Sequence, residues 1–308
     1  MLHFYKPTPS RWGFMLLLAG LAWTRTACAQ DDLLTQLESQ ETKPTKTELV
    51  DATFKSTRLI SGHTVQTPGQ GTMVFLISHR FGTLNSGAYN FFGLDQATLR
   101  LGFEYGLTDR LTAGVGRSSL EKTFDGFLKY KALRQTTGLH AMPVSVTLFA
   151  SSALNSLKYS DTYEHTLPRR LAYTYQALIA RKFSSDLSLQ LMPTLVHSNL
   201  VATAQEHNDV YALGFGGRQK LTKRTSLNAE YYYLLPAGKP TGVRNALALG
   251  VDLETGGHVF QLHVTNSQGM IEKFFVSGTR GNFFNGDLYF GFNVNRNFTI
   301  RPKQGFRK

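Results

Sequence analysis

The feature that most constrains this chain is a repeated alternation of apolar and polar side chains. From residue 71 to about residue 300, segments of roughly 10 to 13 residues carry apolar groups at every second position, with turn residues between them. Successive side chains of a strand point to opposite faces, so each segment predicts a strand with one apolar face. Leu99, Leu101, Phe103 and Tyr105 alternate with Thr98, Arg100, Gly102 and Glu104. Leu247, Leu249, Val251 and Leu253 alternate with Ala248, Gly250 and Asp252. Phe290, Phe292 and Val294 alternate with Gly291, Asn293 and Asn295. About 12 such strands can be placed, at 71–82, 96–107, 110–120, 123–134, 142–155, 170–183, 186–198, 209–221, 225–236, 243–254, 258–268 and 285–299. The first has two apolar phases, Met73, Phe75 and Ile77 or Val74 and Leu76.

The connections alternate in length. Short turns fall at Thr108-Asp109, Ser184-Ser185, 222–224 and 255–257, and long links at 83–95, 156–169, 199–208 and 269–284. Such parity is the layout of an antiparallel up-and-down transmembrane β-barrel, with short periplasmic turns and longer outer loops. A soluble sandwich has no reason to keep it. Phe81, Tyr105, Phe183, Tyr211 and Phe298 stand near strand ends, where aromatic girdles meet lipid headgroups. Hydrophobic residues make up 42% of the chain, which excludes a helical protein with several spans but not a barrel, whose strands are half polar.

The chain is expected to be exported. Lys6 and Arg11, the apolar run Phe14 to Trp23 and the small-x-small triplet Ala27-Cys28-Ala29 make residues 1–29 a signal peptide for Sec-type export, with a mature chain from Gln30. Arg25 stands where a lipoprotein signal wants an aliphatic residue before Cys28, and cleavage after Ala29 leaves no cysteine for a disulfide, metal site or nucleophile. Residues 30–50 read as a polar periplasmic lead-in. Residues 51–70 contain an extended segment, Ala52 to Ile60, that could plug the lumen, lie in the periplasm or pair at the seam. Residues 71–300 form the barrel, and 301–308 a basic tail.

The stretch Ala52-Thr53-Phe54-Lys55-Ser56-Thr57-Arg58-Leu59-Ile60, then Ile77-Ser78-His79-Arg80-Phe81-Gly82, carries a resemblance. So do Gly93-Leu94-Asp95-Gln96-Ala97-Thr98 and Glu104-Tyr105-Gly106-Leu107-Thr108-Asp109-Arg110. These motifs resemble a Bacteroidota family of predicted outer-membrane β-barrels of unknown function. The resemblance implies a barrel and an outer-membrane address, and it brings no activity and no catalytic residues. The chain departs from the commonest outer-membrane ending, an aromatic last residue, because Phe298 is followed by Arg301 to Lys308.

Lys6, Arg11 and Arg25 leave with the signal, so 33 basic residues fall to 30 against 21 acidic ones and the net charge from +12 to +9. After export a basic surface meets lipopolysaccharide phosphates rather than nucleic acid. Expected partners are outer-membrane lipids and lipopolysaccharide, the barrel-insertion machinery, and a solute or protein partner of unknown identity. The inward phase collects Arg100, Glu104, Lys129, Lys131, Lys182, Arg218, Glu230, Asp252 and His263. They could set ion selectivity or form a salt-bridged interior that excludes water. The basic members Arg100, Lys129, Lys131 and Arg218 would favour anions. Catalysis has little support: His197-Ser198 are adjacent on a strand and face opposite ways, and the histidines show no metal spacing. No cofactor, metal or catalytic residue is expected. A passive pore or solute channel is the first reading, a closed barrel for structural, adhesion or docking roles the second, and an outer-membrane hydrolase the third.

Overall fold

The computed structural model describes residues 46–160 and 164–301. The signal segment, nearly all of the lead-in and the tail beyond Arg301 lie outside the described residues. A closed barrel of twelve strands occupies most of the rest. The strands are β1 (Thr72–Thr83), β2 (Ala97–Gly106), β3 (Leu111–Ser118), β4 (Phe124–Leu133), β5 (Ser145–Leu154) and β6 (Leu171–Lys182). They continue with β7 (Leu187–Ser198), β8 (Asp209–Lys220), β9 (Thr225–Leu234), β10 (Ala246–Thr255), β11 (His258–Thr265) and β12 (Tyr289–Thr299). Each lies within a few residues of its expected segment. Every strand pairs antiparallel with its chain neighbours, and β12 closes on β1 with Phe292 opposite His79 and Val294 opposite Ile77. Closure leaves no edge, as a lipid setting without water for backbone groups requires.

The alternation sets what each face meets. Leu128 and Leu148 are 54% and 51% exposed, and Phe103, Phe215, Leu249 and Leu262 face outward with them. A continuous apolar wall of this kind suits acyl chains rather than water. The phase of β1 is settled too: Val74, Leu76, Ser78 and Arg80 point in, while Met73, Phe75 and Ile77 point out. Across the outer face Phe75 stacks on Phe103 of β2 at 4.9 Å and Phe81 on Phe290 of β12 at 5.9 Å.

Three tight turns share one device. The hydroxyls of Thr108, Ser184 and Thr222 accept from the backbone N–H three residues on, at Leu111 (2.9 Å), Leu187 (3.0 Å) and Thr225 (3.1 Å). The links 84–96, 119–123, 155–170, 199–208, 235–245 and 266–288 gather at the other rim, 119–123 being short. One longer link, 134–144, breaks the parity on the tight-turn side, where Thr136–Thr137 pairs with Glu48–Leu49.

The lumen is filled by two pieces of the chain. Residues 53–66 lie inside, hydrogen-bonded to strands on opposite sides of the wall, while Asp51, Ala52, Gly69 and Gln70 are exposed. They do not form the single extended run expected over Ala52 to Ile60. The segment reverses at Ser61-Gly62, where Leu59 N–H donates to Gly62 O at 2.9 Å and Thr64 N–H to Thr57 O at 2.9 Å. It adds no strand to the wall, since β12 seals β1 directly. From the long-loop rim the link 266–288 also turns inward instead of projecting as an outer loop. Its short helix α1 (Glu272–Phe275) buries Phe274 and Phe275, with Met270, Ile271 and Val276 buried beside them. The physical reason is composition: an apolar run amid a polar loop has only the barrel interior to bury against.

Candidate functional site: the filled lumen

Inside the barrel the wall has two sides. Phe127, Phe149, Leu178, Met192, Val196, Val210, Tyr232 and Leu234 make an apolar side from β4 to β9, against which Phe54, Leu59 and Val65 of the hairpin and Phe275 of α1 pack. His63 sits between the rings of Phe127 (4.5 Å) and Phe149 (4.4 Å). Gly114 makes room for this, because a Cβ there would fall within the Phe127 ring.

The other side is charged. Arg80 on β1 donates to Ser61 Oγ at 3.0 Å. Arg58 of the hairpin stands 4.0 Å from Glu104 of β2 and donates to Ser61 O at 2.8 Å. His63 lies 4.0 Å from Glu272 of α1, so hairpin and α1 meet mid-lumen. Among the described residues, both Glu104 oxygens, both imidazole nitrogens of His63 and of His263, Arg58 Nε and Arg80 Nε lack a hydrogen-bond partner in the protein. Buried groups left so cost about 1–3 kcal/mol each.

The inward residues singled out from sequence are brought to this interior, and most are engaged. Arg100 makes a two-pronged pair with Asp125 of β4, its Nε at 2.9 Å. Lys129 caps the hairpin carbonyls of Gln66 (2.6 Å) and Thr57 (3.4 Å). Glu230 accepts from the N–H groups of Ile60 (3.3 Å), Ser61 (2.8 Å) and Gly62 (3.1 Å). Arg218 donates to Ser226 and, at 3.0 Å, to Glu254, which also meets Lys55 of the hairpin at 2.9 Å. Asp252 accepts from Gln261 at 2.6 Å, and Gln261 also donates to Leu59 O. His263 is buried on the charged side. Lys182 donates to Asp51 O at 3.0 Å, and Lys131 lines the tight-turn mouth with Asp51 and Arg134. Three of the four cations expected to attract anions, Arg100, Lys129 and Arg218, are therefore already occupied by protein groups.

Sequence reasoning missed Arg80, Asp125, Gln190, Gln261 and Asn293. Gln190 accepts from Val65 N–H at 2.9 Å and Asn293 donates to Ile60 O at 2.8 Å. The inward phase of these residues follows from the alternation, but uncharged amides carry no charge signal, and the two apolar phases of β1 obscure Arg80. The outward pair His197 Nδ1 and Asp209 Oδ1, 2.6 Å apart, sits at the long-loop end of β7 and β8. Among the described residues no group of three His, Cys, Asp or Glu has metal-binding geometry.

Three cavities follow the lumen. One of about 430 Å³ opens at the long-loop rim, one of about 260 Å³ at the tight-turn rim, and one of only about 10 Å³ lies between them beside Arg58, His63, Asp125 and Glu272.

A comparison with curated proteins finds no match. Similar solved structures include the NanC porin, at 8% identity and a TM-score of 0.45, covering 72% of this chain and 97% of that one. The KdgM porin has 11% identity and a TM-score of 0.44, covering 74% and 99%. An outer-membrane channel from Pseudomonas putida F1 has 16% identity and a TM-score of 0.44, covering 76% and 97%. The family model described as "Membrane bound beta barrel domain (DUF5777)" matches residues 54–298, starting within the inner hairpin and ending in β12. With the closed barrel, its apolar outer wall and a match over most of its length, the chain belongs to this family of membrane-bound β-barrels.

Proposed function

We propose that the protein is a solute channel of a Gram-negative outer membrane whose lumen is closed at its centre by its own hairpin and α1. The long-loop rim faces outward, toward lipopolysaccharide, and the tight turns face the periplasm after Sec-type export. The carrying observation is the pair of cavities, about 430 and 260 Å³, that open at opposite rims and are separated by the hairpin and α1, with a void of only about 10 Å³ between them. Beside the packing of Phe54, Leu59 and Val65, the hairpin is held by Glu230, Gln190, Gln261, Asn293 and Lys129, whose hydrogen bonds water can replace. The reading assigns no enzyme activity.

Conductance of the refolded protein in planar lipid bilayers tests this. The full chain should give rare or small steps, and a variant lacking residues 51–66 large, sustained steps that scale with salt. Silence from both, with folding shown independently, would overturn the channel. It would favour the second reading, a closed barrel with a docking role, which the filled lumen itself supports. The links 84–96 and 155–170 would then carry the contacts, since 269–284 is largely buried.

A further inference from the structure

We infer that the long-loop mouth is a recognition site for a small organic carboxylate with an apolar body. The inference deepens the channel reading by naming the solute class, and its test does not require conduction. The cavity of about 430 Å³ falls within the roughly 300–1,000 Å³ typical of small-molecule sites. Its lining includes Ala172 of β6 and Val210 of β8, both buried on the inward phase, so it stands above the lumen and not on the lipid face.

Four cations converge there from two links: Arg169 and Arg170 from 155–170, and Lys273 and Arg280 from 266–288. Arg170 is oriented by donating from Nε to His165 O at 2.8 Å and from Nη1 to Leu157 O at 2.9 Å, and its guanidinium lies 5.3 Å from the Tyr159 ring centre. Among the described residues neither Arg170 nor Arg280 is paired with a carboxylate. A guanidinium oriented by carbonyls keeps its charge for an incoming anion. Lys273 is bound to Glu121 at 3.0 Å, and Asn155 holds the same Glu121 oxygen at 2.9 Å. Glu206 is the second acidic group of the lining. The remaining surface is largely apolar, with Phe274 of α1 and Val243 at the buried end. Cations beside an apolar floor favour a carboxylate on a hydrophobic body over inorganic phosphate.

Calorimetric titration of the full refolded chain in detergent tests this with phenylacetate, phenylacetamide and inorganic phosphate. Phenylacetate should bind at least about tenfold more tightly than the other two. Arg280→Gln should weaken phenylacetate about tenfold, and Glu121→Gln should tighten it several-fold by releasing Lys273. A mouth merely distorted by substitution would weaken in both variants, and that result overturns the inference. So would equal binding of acid and amide, equal binding of phosphate, or no binding at all. Silent bilayers with intact phenylacetate binding would remove the channel and leave the site; conduction without binding would do the reverse.

Discussion

A carboxylate deep in a barrel is costly unless donors surround it, and Glu230 has three: the N–H groups of Ile60, Ser61 and Gly62 at the hairpin turn. Glu230→Leu would strand those donors, at about 1–3 kcal/mol each as an upper range. Amide hydrogen exchange at residues 60–62 should then accelerate by orders of magnitude while strand amides stay protected; unchanged exchange would mean the turn is held by other contacts. Gly62 is fixed by close approach, since a Cβ there would meet the Tyr232 hydroxyl, itself bonded to Met192 Sδ at 3.3 Å. Gly62→Ala should displace the turn at a cost of about 1–3 kcal/mol. Denaturant unfolding of the refolded barrel checks that value.

At the scale of elements, the two luminal pieces are tied differently. The hairpin adds to the packing of Phe54, Leu59 and Val65 polar contacts spread around the wall, whereas α1 depends on apolar burial, above all Phe275 packed 5.0 Å from the Tyr232 ring. Phe275→Ala should cost about 3–5 kcal/mol locally and expose residues 266–281 to protease while the barrel stays closed. Resistance equal to the parent would show that α1 is held by its charges instead. The outer end of this link is clasped to the neighbouring loop by Asp287, which accepts from Asn282 N–H at 2.8 Å and the Asn85 amide at 2.6 Å. Those bonds hold its carboxyl below the ordinary value of 3.8. A lowered folded value means the clasp contributes fully above pH 3.8 and is lost only as pH falls through the lowered value. Loop mobility measured from pH 7 to 4 should therefore stay constant, and release of the clasp near pH 5 would contradict the geometry.

For the whole molecule, the apolar outer wall is the property that decides where it can reside. Leu249→Arg, at the middle of β10, should cost about 2–4 kcal/mol in equilibrium folding into lipid vesicles. A cost near zero would show that this face does not meet lipid. Strand number, strand order and the outward phase of most strands are legible in the sequence, because a period of two residues and the length of each link are local properties. Leu99, Leu101 and Phe103 declare an outward face without reference to any other part of the chain. The phase of β1 is not legible, because Val74 and Leu76 are apolar although they point inward. Nor is the fate of residues 51–70 and 266–288. The partners that hold them are remote: Leu59 O meets Gln261, 202 residues on, and Ile60 O meets Asn293, 233 residues on. Only closure of the barrel brings such groups together, and it turns Lys129 and Glu230 from free lumen charges into fastenings of the hairpin, while Arg100 is taken up by Asp125 of the wall. The sequence thus determined a membrane barrel with charges inside it, because alternation is written residue by residue. The tertiary structure alone decided that those charges hold a plug and leave the cationic mouth open, because that depends on which surfaces a closed wall makes face each other.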